Sequence, residues 1–75
     1  MATLIRMELV DGKAVHKTAV EVEWDRAINN MRQEPSQDAI AEGAFHVFSL
    51  NRKGNRAISR ITYPDDCGVM EILKK

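Results

Sequence analysis

Apolar positions in this chain come in short runs, none longer than three residues, set between polar clusters. Residues 3–10, "TLIRMELV", alternate: Ile5, Met7 and Leu9 fall on one face and Arg6 and Glu8 on the other. A period of two is the mark of a half-buried strand. "DG" at 11–12 then signals a tight hairpin turn, because both residues tolerate positive φ. "KAVHK" at 13–17 returns as the second strand.

The stretch 18–34, "TAVEVEWDRAINNMRQE", carries two periods at once. Thr18 and Glu21 have capping-box spacing, and Val20, Trp24, Ala27, Ile28 and Met31 make one helical stripe. Val20, Val22 and Trp24 also alternate like a strand. The favoured expectation is a helix from about 19 to 33, stopped by Pro35. The alternative extends the second strand to Trp24 and starts the helix at Asp25.

"PSQDAIAEG" at 35–43 is expected to form one or two helical turns or a loop, closed by Gly43. "AFHVFSL" at 44–50 and "AISRITY" at 57–63 are rich in strand formers and flank "NRKGNR". "PDDCG" at 64–68 is a turn cluster, and "VMEIL" at 69–73 a last short strand. Ile40, Ala44, Val47 and Phe48 also fit one long helix over 36–50, but Gly43 in its middle costs about 1 kcal/mol against Ala. The expected order is ββα(α)βββ: a small α+β domain, with a mostly antiparallel sheet of four or five strands on one main helix.

Length and composition narrow this further. With 75 residues, 44% apolar and 29% charged, the chain is expected to be one globular domain, 1–75. A domain of this size buries only about 60% of its unfolded surface. Self-association is a common supplement, so a homodimer is expected. Cys67 is the single cysteine, so no disulfide forms within the chain. That cysteine, the Met1 start and the lack of a signal-type or membrane-spanning apolar segment point to the cytoplasm.

Charge sums to zero but is uneven. Residues 1–42 hold eight acids and five bases, residues 43–64 hold Arg52, Lys53, Arg56 and Arg60 with no acid, and residues 65–75 hold three acids and two lysines. The 51–60 hairpin is therefore a candidate phosphate grip, with Asn51, Asn55 and Ser59 adding hydrogen bonds. Phe45, Phe48 and Tyr63 could stack on bases, although with so few aromatics they are expected in the core. The plainer account of the basic run is a hairpin tip kept polar for solubility. Glu21, Glu23 and Asp25 would likewise be solvated acids compensating a helix dipole, or a surface complementary to the basic hairpin of a second copy.

Sites for chemistry are sparse. His16 and His46 show no local ligand spacing with Cys67, Asp65 or Asp66, so no metal is expected. No Gly-rich phosphate loop is present, and no cofactor is expected. Cys67 with a histidine base would be the one nucleophile, and its acidic neighbours disfavour the thiolate. Trp24 is expected to anchor the helix on the sheet. These features together point to a non-enzymatic module that binds a protein partner and self-associates through a strand edge or the helix face. The alternative is a nucleic-acid-binding domain using Asn51, Arg52, Lys53, Asn55, Arg56 and Arg60. The weakest option is a small enzyme subunit depending on Cys67.

Overall fold

A computed structural model describes all residues, Met1–Lys75. Five strands and two helices follow in the expected order: β1 (Ala2–Val10), β2 (Lys13–Val22), α1 (Trp24–Arg32), α2 (Gln37–Ala41), β3 (Phe45–Leu50), β4 (Arg56–Thr62) and β5 (Gly68–Lys74). The strands form a single antiparallel sheet in the order β2-β1-β5-β4-β3.

The β1–β2 hairpin turns at Asp11 and Gly12, whose φ values of 52° and 78° are those the "DG" pair predicted. From that turn the ladder runs to Ala2 opposite Val22. The favoured helix from residue 19 is therefore not formed. Residues 18–22 are strand, and α1 starts at Trp24, close to the alternative boundary. The capping-box pair Thr18 and Glu21 lies in β2, opposite Arg6 and Thr3, and Glu23, the residue preceding α1, makes no side-chain cap bond. A long-range ladder to β1 satisfies the backbone groups of 18–22, and β-branched Thr18, Val20 and Val22 suit it. Local helical spacing loses to it.

One irregularity interrupts this ladder. Arg6 pairs with Thr18 and Glu8 with Val15, so His16 and Lys17 together oppose Met7, with His16 at φ 52°. This is a β-bulge on the edge strand.

Region 36–50 is a short helix and a strand, not one long helix. Ser36 caps α2 through its hydroxyl, which accepts from the Ala39 N–H at 3.2 Å. Gly43 ends it with φ 96°, and the Gly43 and Ala44 N–H groups donate to the Ile40 and Ala39 carbonyls. That pattern needs a left-handed residue, which is why the helix stops here.

Topology decides which face of the sheet is covered. The chain leaves one edge at Val22 and re-enters at the opposite edge at Phe45, with both helices in between. The other connections, 11–12, 51–55 and 63–67, are turns too short to cover a face. α1 buries Ala27, Ile28 and Met31 against Ala2, Ala57 and Leu73, with Leu4, Val22, Trp24 and Phe48 packed around them. Trp24 thus anchors the helix on the sheet as expected, with the Lys75 ammonium 4.8 Å from its ring. Ser59, buried on this face, meets the His46 Nε2 at 3.1 Å.

Candidate functional site

The basic hairpin is built around Asn51. Its Oδ1 accepts from the Asn55 and Arg56 N–H groups at 3.1 and 3.2 Å, and its Nδ2 donates to the Asn55 Oδ1 at 2.8 Å. The Asn51 carbonyl accepts from the Gly54 N–H at 3.0 Å, and the Asn55 carbonyl takes the Lys75 N–H at 3.0 Å. The Asn51 side chain thus closes the turn, and the Asn55 Oδ1 joins it while the Asn55 Nδ2 makes no bond within the chain.

The four cations of the hairpin are all exposed, but they divide into two groups. Arg52 and Lys53 stand at the tip. Arg56 and Arg60 lie on β4 on either side of Ile58, and alternation puts all three on one face. That face is opposite the helices, because Ala57 and Ser59 between them point to the core side. Arg56 pairs across the ladder with Lys74, a cation the sequence reading missed.

The register maps the rest of this open face. Ile5, Ile72 and Ile58 form one row across β1, β5 and β4, and Met7, Met70 and Arg60 form the next. β3 adds Val47 and Phe45, which are 40% and 65% exposed. Met7, beside the bulge, is the one residue of the face buried from solvent. The alternating set Ile5, Met7 and Leu9 therefore faces away from the helices, while Ala2 and Leu4 supply the core side of β1. Phe45 is likewise outside the core, unlike Phe48, which packs on it beneath the Arg32 guanidinium at 5.5 Å.

At the end far from Arg56 and Lys74, the face holds a hollow of about 420 Å³ lined by Leu9, Arg60, Tyr63, Asp66 and Met70, among others. It opens where β5 carries only Gly68 between Leu9 and Thr62. The two turns beside it are tied by the Gly12 N–H donating to the Asp66 carbonyl at 2.9 Å, which brings Asp11, Asp65 and Asp66 to this end. The one ion pair of the molecule, Arg6 with Glu71 at 3.9 Å, lies on the helix side. The charges at both ends of the open face are therefore unpaired.

The remaining candidates stay apart. His16 sits on β2 and His46 on β3, the two opposite edges of the sheet, roughly 19 Å apart at ordinary strand spacing. Neither ring bonds Cys67, whose N–H donates to the Asp65 Oδ1 at 3.1 Å within its turn. No group of three or more His, Cys, Asp or Glu side chains converges on a point. No helix is long and apolar enough to cross a membrane.

A trace of the open face was present in the sequence. Strands covered on one side alternate cleanly, whereas all five strands here contain adjacent apolar pairs, among them Leu4–Ile5, Val47–Phe48, Ala57–Ile58, Val69–Met70 and Ile72–Leu73. Such doublets mark strands apolar on both faces. Compared with known proteins, the chain matches no family model, no curated protein and no solved structure.

Proposed function

We propose that this protein is a non-enzymatic interaction module that takes a protein partner on the open face of its sheet. One observation carries this: a five-stranded sheet with an aliphatic centre at Ile5, Ile72, Ile58 and Met70 has helices on its other side only. A sheet face of this composition is stable in water when a second layer covers it. Exposed Phe45 and Val47 extend the apolar surface to the β3 edge, and aromatic residues such as Phe, together with Met, are enriched at protein contacts. The half-buried single thiol of Cys67 suits a reducing compartment such as the cytoplasm.

Arg56, Arg60 and Lys74 on the same face favour a second reading, in which the face holds single-stranded nucleic acid. Its aliphatic centre speaks for protein, since single-strand binders stack bases on aromatic rings and Phe45 is the lone exposed aromatic here.

A photo-crosslinking residue at Val47, compared with one at Glu42 on the helix side, tests the main reading in the cells that make the protein. A discrete protein adduct from position 47 alone, lost on Ile72→Asp, is the expected result. Equal adducts from both positions, or none from 47, would refute it. Titration with labelled single-stranded DNA and RNA at 50 and 200 mM salt tests the second. Binding that falls steeply with salt and disappears in Arg56→Ala/Arg60→Ala would replace the protein reading.

A further inference from the structure

We infer that the occupant of the open face is a second copy of this chain, stacked face to face with its strands reversed. This rests on the reading above that the face is the contact surface, and it adds the partner and the geometry.

Charge along the strands carries the inference. One end of the face bears Arg56 and Lys74 side by side, with Arg52 and Lys53 in the adjoining turn. The other end bears the hollow lined by Asp66 and one cation, Arg60, with Asp11 and Asp65 in the linked turns, so acids outnumber bases there. None of these groups has an opposite charge within 4.0 Å in its own chain. Like charges directly opposite on neighbouring strands repel, so the Arg56–Lys74 pair is a local cost that an external anion would relieve.

A two-fold axis in the plane of the interface, perpendicular to the strands and passing between Ile72 and Met70, satisfies both ends together. It lays β5 over β5 in reverse. Lys74 of each copy then lies over Gly68 and the Asp66 hollow of the other, and Arg56 lies over Thr62. The row Ile5, Ile72, Ile58 falls on the row Met7, Met70, Arg60. Such an isologous contact closes on itself, as most homodimers do. A two-fold axis along the strands would instead stack Lys74 on Lys74.

Size agrees. Five strands at about 4.8 Å spacing and seven residues at about 3.3 Å give a footprint of roughly 550 Å² per copy, or about 1,100 Å² for the pair. That clears the ~1,000 Å² expected of a specific interface. Two sheets packed about 10 Å apart would then cover Ile5, Ile72, Ile58 and Met70, which now meet solvent at least in part.

Sedimentation in 50 mM salt tests this with four proteins, each checked for folding by circular dichroism: wild type, Ile58→Asp, Lys74→Glu and Asp66→Lys. Ile58, 36% exposed, is the most open residue of the central aliphatic row and so the mildest place in it for a charge. Wild type is expected at twice the 8.5 kDa chain mass, Ile58→Asp as a monomer, and each charge variant dimerising at least about tenfold more weakly. Lys74→Glu and Asp66→Lys mixed in equal amounts should regain the wild-type dimer, because every reversed end then meets a reversed end. Wild type monomeric at 500 μM, a dimer that survives Ile58→Asp, or a mixture no tighter than its components would each overturn the inference. The crosslink at position 47 separates the two failures. An adduct heavier than two chains with a monomeric wild type refutes the second copy and keeps the contact face. A dimer without a position-47 adduct refutes both.

Discussion

Asn51 holds its turn closed while its neighbours Arg52 and Lys53 make no hydrogen bond or ion pair. Asn51→Ala removes three side-chain hydrogen bonds that satisfy backbone and side-chain groups of the turn, and should cost about 1–2 kcal/mol. Arg52→Ala and Lys53→Ala should stay within about 0.5 kcal/mol. Urea denaturation of the three variants checks the contrast, and equal losses would mean that the asparagine bonds contribute nothing net. Gly68 is a stricter case. A Cβ there would run into the Ile61 backbone carbonyl of β4, which has no flexible side chain to yield. Gly68→Ala should therefore force β4 and β5 apart at cost of about 3 kcal/mol or more. Loss of the amide-exchange protection of Tyr63, whose N–H donates to the Cys67 carbonyl beside Gly68, would report it. Neither role was legible beforehand. Asn51 read as a ligand-facing polar group and Gly68 as an ordinary turn residue, because both depend on partners that the fold brings together.

The elements themselves were largely legible, because five strands and two helices each have a local pattern and clear punctuation at "DG", Pro35, Gly43 and "PDDCG". The error fell on 18–22, where the helical and strand periods overlap in the same residues. Local spacing could not weigh a ladder to β1, a contact between segments distant in the chain. α1 then has nine residues with which to cover the sheet, and its buried stripe is Ala27, Ile28 and Met31. Ile28→Ala should cost about 2–4 kcal/mol. Small domains lie near the lower end of about 5–15 kcal/mol, so this takes much of the total stability. Thermal unfolding should show a fall of well over 10 °C. Val20→Thr on the exposed part of β2 should shift it by only a degree or two, since Val20 is 53% exposed.

For the whole molecule, one charge change should move two observables in opposite directions. Lys74 opposes Arg56 on the ladder, so Lys74→Glu turns a repulsive cross-strand pair into an attractive one. The isolated chain should gain about 0.2–1 kcal/mol, measured by urea at low micromolar concentration. The same substitution should weaken self-association. A variant that loses both stability and association would show that Lys74 supports the fold, not the interface. The face on which this turns could not be read from any one strand. Ile5, Met7 and Leu9 announced an apolar side of β1, but which side the helices take depends on where the edge-to-edge crossover runs. The basic 51–60 segment alone takes in neither Lys74 nor most of the apolar rows that share its face.

The bulge at His16 and Lys17 has a consequence for the ends of the sheet. β2 and β3 are its two unpaired edges, and an edge of one molecule that accepted an edge of the next would start an open-ended filament. Ten regular residues in β2 would make a long, flat template for such growth. His16, held at φ 52°, bends that template midway and breaks its row of outward donors and acceptors. Deleting Lys17 leaves one residue opposite Met7 and straightens the strand without changing which side chains face the core. The shortened chain should polymerise into fibres that bind thioflavin, on a timescale over which wild type stays in solution.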